Sequence, residues 1–156
     1  CPDWWGTAEP VVITTFNRDE NTKSGTIKNI RFFNVTAKGE NGVLIHGNAD
    51  NIIEDVTFEN CKITLTKTSK WDCGLYDLRP CLDWGVEKYD NSAFFIRYAK
   101  NVLIEKTQTA WGTLCDSYKH AIDAENVENL ELVRFSGKAV SPLVDDIKLN
   151  NVKLIK

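Results

Sequence analysis

Short runs of alternating apolar and polar residues recur along this chain and return at a nearly fixed spacing. Gly25-Thr-Ile-Lys-Asn-Ile-Arg-Phe-Phe-Asn-Val-Thr-Ala-Lys38 aligns with Ile53-Glu-Asp-Val-Thr-Phe-Glu-Asn-Cys-Lys-Ile-Thr64 at an offset of 26 residues. Ile30, Phe32, Asn34 and Val35 then match Val56, Phe58, Asn60 and Cys61. Weaker copies follow at Asn101-Val-Leu-Ile-Glu-Lys106, Asn129-Leu-Glu-Leu-Val-Arg134 and Asn151-Val-Lys-Leu-Ile155. Alternation of period two is the signature of a strand, and no segment carries a sustained i, i+3, i+4, i+7 stripe. β-Branched and aromatic residues fill the apolar slots, as strands favour.

Units of about two dozen residues, each holding one or two strands, predict a chain that returns to stack on itself. The expected fold is all-β: a single-stranded, right-handed parallel β-helix, or solenoid, in which equivalent positions sit in register. Ile30, Phe32, Val56, Phe58, Val102, Ile104, Leu130 and Leu132 should form interior ladders, about 4.8 Å apart from layer to layer. Asn34 and Asn60 share a register after an aromatic, where an asparagine can take a left-handed bend and satisfy backbone groups.

One long insertion, Thr66 to Ser92, breaks the rhythm. Loops of this length in a compact domain usually carry function. This one holds Trp71, Tyr76, Asp77, Arg79 and Trp84: flat apolar faces suited to sugar rings, with charged groups suited to hydroxyls and carboxylates. Trp5 lies in a second aromatic segment, and Glu40, in the turn Gly39-Glu-Asn-Gly42, could point into a groove. These seven are the candidate substrate-binding residues. The alternative is a self-packed cover over the side of the stack.

Five cysteines, Cys1, Cys61, Cys73, Cys81 and Cys115, leave at least one unpaired within the chain. Cys73 and Cys81 bracket a short polar loop and are the best-placed disulfide pair, the alternative being two reduced thiols. Cys61 reads as a small buried hydrophobe.

Composition narrows the function. The 156 residues carry a net charge of -3, with 26% charged and 42% hydrophobic residues. No basic block argues for nucleic acid, and no apolar run approaches the ~20 residues of a membrane helix. His46 and His120 have no neighbours at metal-ligand spacing, so neither a metal site nor a cofactor is expected.

Gly25–Val35, Gly39-Glu-Asn-Gly-Val-Leu-Ile45 and Ile53–Asn60 resemble coils of the polygalacturonase-like β-helix proteins, glycoside hydrolase family 28. Gly74-Leu-Tyr-Asp-Leu-Arg-Pro-Cys81 and Trp5-Gly-Thr-Ala-Glu-Pro10 look like segments of the same family, and the resemblance runs over nearly the whole chain. It implies a secreted protein with a polysaccharide partner, acting on pectin-like polymers by an inverting mechanism that needs two carboxyls ~6.5–9.5 Å apart. The family's motifs are Asn-x-Asp, Asp-Asp, Gly-His-Gly and Arg-x-Lys, in that order. Here Asn48-Ala49-Asp50 follows Ile45-His46-Gly47, Asp145-Asp146 lies near the C-terminal end, and no Arg-x-Lys triplet occurs. Residues 1–156 are therefore expected to be the C-terminal coils of such a domain. The catalytic coils would lie upstream on a missing segment or another chain, and Arg79 would pair with a uronate. A non-catalytic carbohydrate-binding or structural β-helix protein is the alternative, and a polysaccharide lyase a further one.

Overall fold

The computed structural model describes residues 9–79, 81 and 85–155, all in strands, turns and loops with no helix among them. Twelve strands follow in order. They are β1 (Val12–Thr14), β2 (Lys28–Phe33), β3 (Thr36–Gly39), β4 (Val43–His46), β5 (Ile53–Glu59) and β6 (Lys62–Leu65). After them come β7 (Leu75–Asp77), β8 (Val86–Lys88), β9 (Phe94–Glu105), β10 (Gln108–Trp111), β11 (Ile122–Val133) and β12 (Ile147–Ile155). Except for the antiparallel pair β7–β8, every strand pairing is parallel.

The largest sheet is organised around β9. Its first half pairs with β4 and its second half with β5, while β11 and then β12 follow on its other side. β1 and β2 pair with β4 and β5 respectively. A second sheet runs β10–β6–β3. One buried core holds side chains from both, including Val56, Phe58 and Ile96 of the first sheet and Ile63 and Leu65 of the second.

The interior ladders are those the repeat predicts. Ile30 pairs with Val56, Val56 with Val102, Val102 with Leu130, and Leu130 with Leu154. Phe32 pairs with Phe58, their rings stacked at 4.6 Å, and the row continues through Ile104 to Leu132. Each side chain buries apolar area only because the next row covers it. Residues on the outermost rows, such as Leu149 and Leu154 on β12, stay largely exposed.

The chain bends where asparagines accept left-handed backbone angles. Asn29, Asp55, Asn101 and Asn129 have φ between 54° and 64°, and Asn34 and Asn60 have φ of 57° and 54°. Their amides form ladders of their own: Asn60 donates to Asn34 Oδ1 at 2.7 Å, Asn101 to Asp55 Oδ1 at 2.9 Å and Asn129 to Asn101 Oδ1 at 2.9 Å. Asn101→Ala is expected to cost about 1–2 kcal/mol in chemical denaturation, from left-handed strain and two lost bonds. Asn101→Gly should recover the strain component alone. Equal losses for both variants would show that the bend is not strained.

Candidate functional site

The insertion between β6 and β9 folds back as the β7–β8 hairpin, Leu75 opposite Lys88 and Asp77 opposite Val86. Alternation along β7 turns Leu75 and Asp77 outward and Tyr76 inward. Tyr76 and Leu78 pack on Leu44 and Phe95, on the side of the large sheet away from the main core, with Phe16 and Tyr89 at the margin. Tyr76 stacks on Phe95 at 4.9 Å and is 0% exposed. The insertion is thus largely a cover.

This relocates several expected site residues. Tyr76 is sealed in the cover and cannot meet a ligand. Glu40 is also buried, contrary to a groove-facing role: its carboxylate is taken up by the loop that starts the insertion. Thr68 N–H and Oγ1 donate to Glu40 Oε1 at 2.7 and 2.6 Å, Ser69 N–H donates to the same oxygen, and Ser69 Oγ and Lys67 Nζ donate to Oε2 at 2.9 and 3.1 Å. Burial alone would raise the pKa of Glu40, but these bonds outweigh it and bring the carboxyl down to about 2.

Arg79 and Asp77 clasp each other. Arg79 Nε donates to Asp77 Oδ1 at 2.8 Å and its terminal nitrogen to Oδ2 at 2.7 Å, and the Arg79 hydrogen bond holds the Asp77 pKa low. Trp71 is half-buried beneath Lys70, whose Nζ lies 5.0 Å from the ring centre. Trp84 and Trp5 lie outside the described residues.

Cys73 is bonded to Cys115 and not to Cys81. β7 runs extended between Cys73 and Cys81 and carries them apart. Long-range pairing does the opposite for Cys115: Asn91 N–H donates to the Ser117 carbonyl at 2.7 Å and Tyr89 N–H to the Gly74 carbonyl at 2.9 Å. Gly74, at φ +83°, sits beside Ser117, and a Cβ there would lie 2.7 Å from the Tyr89 carbonyl oxygen. The two ends of the insertion are drawn together beside residues 115–117.

The familiar-looking motifs have structural roles. Asn48 Oδ1 caps the N–H groups of Asp50 and Asn51, and Asp146 accepts bonds from Lys138 and the Ala139 N–H. His46 Nδ1–H donates to the Gly47 carbonyl at 2.7 Å, and burial first of all lowers its pKa.

Charged chemistry gathers instead on the outer face of β9, β11 and β12, beside the cover. Register sets it out in two rows: Leu44, Phe95, Asp123 and Lys148, then His46, Arg97, Glu125 and Asn150. The Arg97 guanidinium lies 3.8 Å over the Phe95 ring and is buried. It bonds Asp123 Oδ1 at 2.9 Å and the Ile96 and Asp123 carbonyls at 3.0 Å, and Nε is 3.6 Å from Glu125 Oε2. Lys148 takes the other Asp123 oxygen at 3.1 Å.

Tyr89 packs against Phe95 at 4.9 Å, and its hydroxyl donates to Glu87 on β8. Burial, then the hydrogen bond to Glu87 and the charges of Glu87 and Glu125, push the Tyr89 pKa up to about 12, so the phenol stays protonated. Two carboxylates from different elements therefore share one patch: Glu87 from the hairpin, exposed, and Glu125 from the sheet, half-exposed. A cleft of 460 Å³ adjoins it, lined by Phe16, Asn48, Asp50, Leu78, Val86 and Glu87 among others. Among the described residues no three His, Cys, Asp or Glu side chains gather in a way that would hold a metal ion.

None of the patch residues is among the seven read from the sequence. The available signal was opposite charge at equivalent outward positions, Arg97 against Glu125 at an offset of 28 and Asp123 against Lys148 at 25. No family model, curated protein or solved structure matches the chain.

Proposed function

We propose that this chain forms part of a right-handed parallel β-helix that acts on polysaccharide as a glycoside hydrolase of the polygalacturonase type. Five successive parallel rows, with a return through a second parallel sheet, support the helical path. Parallel crossovers in one sheet are right-handed in about 98% of cases, which supports the hand. The Cys73–Cys115 disulfide fits a secreted protein.

The observation that carries the reading is the Glu87–Glu125 pair. Glycoside hydrolysis with inversion needs one carboxyl to protonate the glycosidic oxygen and another to take a proton from water. Glu87 from β8 and Glu125 from β11 both act on Tyr89, and the cleft that Glu87 lines offers room for a sugar ring. Tyr89, a protonated phenol, orients Glu87, and Arg97 anchors the Glu125 side.

The test is reducing-end release from a polysaccharide panel, with the anomer of the product read by NMR. Glu87→Gln and Glu125→Gln are each expected to lower the rate at least about 100-fold with the fold intact. Release that both variants leave unchanged refutes the pair.

One observation favours a second reading, a non-catalytic carbohydrate-binding β-helix protein. Asp123, the most deeply placed carboxylate of the patch, is fully engaged by Arg97 and Lys148. Glycan retention without cleavage by the unmodified chain would select it.

A further inference from the structure

The asparagines at the left-handed bends do not all use their amides alike. Asn60, Asn101, Asn129 and Asn151 each donate Nδ2 along a ladder, to Asn34, Asp55, Asn101 and Asn126 respectively. Asn34 stands at the receiving end. Its Oδ1 takes the Asn60 bond at 2.7 Å, and its Nδ2 has no partner among the described residues. Asn34 is exposed, with φ 57°. Asn60 is exposed too, although its backbone is bonded into the next coil at Glu105, so this ladder faces solvent along its length and not only at its end. The sequence singles out the same residue. Asn34-Val35-Thr36 is the only Asn-x-Ser/Thr triplet in the chain, the acceptor pattern for N-linked sugar. The four donating asparagines have Lys62, Leu103, Glu131 and Lys153 two positions on, which the pattern excludes. Thr36 opens β3 and is exposed. Among the described residues β2 and β3 each pair on one side only, with β5 and β6, and Phe33 beside Asn34 is 49% exposed.

We propose that Asn34 is a modification site that takes an N-linked oligosaccharide in the secretory pathway. This rests on the secreted reading above. In the transfer, Nδ2 forms a bond to C1 of a sugar carried on a lipid diphosphate. The bond from C1 to the diphosphate oxygen breaks, the lipid diphosphate leaves, and the amide gives up one proton. Oδ1 remains an acceptor, so the bond from Asn60 survives the modification. The same transfer at Asn60, Asn101, Asn129 or Asn151 would compete with a ladder bond. A bulky, soluble glycan here shields Phe33 and the open edges of β2 and β3, where a bare strand invites pairing with another chain.

The test directs the full chain into the secretory pathway of cultured animal cells with a cleavable leader and samples both medium and lysate. The expected result is an intact mass above that of the bare chain, in steps of one hexose. Peptide N-glycosidase should remove the excess and leave aspartate at position 34 in the peptide map. Asn34→Gln and Thr36→Ala should each abolish the excess mass, and Thr36→Ser should retain it. The Cys73–Cys115 disulfide is mapped in the same samples. A disulfide-bonded chain without glycan in medium and lysate overturns the proposal and leaves the secreted reading standing. A glycan that persists in Asn34→Gln also overturns the assignment. Cys73 and Cys115 found reduced in a glycosylated chain would uphold Asn34 as the acceptor and remove the disulfide as support for secretion.

Discussion

Asp123→Ala is expected to lower stability by about 3–5 kcal/mol, seen as a fall of roughly 10 °C in melting temperature. Asp123 and Arg97 are 3% and 7% exposed, so little water reaches the guanidinium to replace the lost carboxylate. Removing Asp123 leaves Arg97 charged, buried and short of its main acceptor, and it also releases Lys148. The penalty measures a stranded charge more than the worth of the pair. Replacing both partners, Arg97→Leu with Asp123→Leu, should therefore recover a large part of the loss, and a double-mutant cycle isolates the coupling. A shift below about 2 °C for Asp123→Ala would mean that water reaches Arg97 and that the face is less closed than its geometry indicates.

That ion pair also explains why the site was harder to read than the fold. Phe32 and Phe58, or Asn34 and Asn60, repeat the same residue types at the same offset, so an alignment of the chain with itself finds them. Their burial alternates with exposure, which is a period a sequence displays. The first halves of β9 and β11 behave differently. Phe94–Arg97 and Ile122–Ala124 are buried on both faces, inside by the core and outside by the hairpin or by ion pairs, so alternation disappears from the pattern.

The hairpin misled for a related reason. Its aromatic residues suit a sugar platform, but strand alternation in β7 directs Tyr76 onto Phe95, and only the pairing of β7 with β8 decides which side faces inward. The disulfide depends on contacts between residues 42 apart, which spacing among neighbouring cysteines does not reveal.

Glu40 offers a second large effect, with a definite pH signature. Its carboxyl has an ordinary value of 4.5 and a folded value of about 2, so the folded state holds the proton less tightly than the unfolded chain. The stabilisation is then complete above about pH 4.5 and is lost as the pH falls from there toward 2, amounting to about 3 kcal/mol. Glu40→Gln keeps a carbonyl oxygen for the Thr68 and Ser69 N–H groups but puts an amide nitrogen where Lys67 Nζ and Ser69 Oγ donate, and leaves Lys67 without its carboxylate. It should cost about 2–3 kcal/mol at pH 7.

Half-exposed carboxylates such as Asp146 and Glu105 also titrate in acid, so the informative quantity is the difference between the two proteins in urea unfolding. That difference should be largest near neutrality and shrink between pH 4.5 and 2. Parallel profiles would show that Glu40 is protonated at its ordinary pKa and does not clamp the loop. The clamp matters beyond its own energy, because residues 67–69 begin the insertion and the Glu40 carbonyl also accepts the Tyr118 hydroxyl at 2.8 Å. Tyr118 lies three residues beyond Cys115, so one buried carboxylate and one disulfide secure the same end of the cover. Loosening either should increase hydrogen exchange in β7 and β8 before it does so in β9.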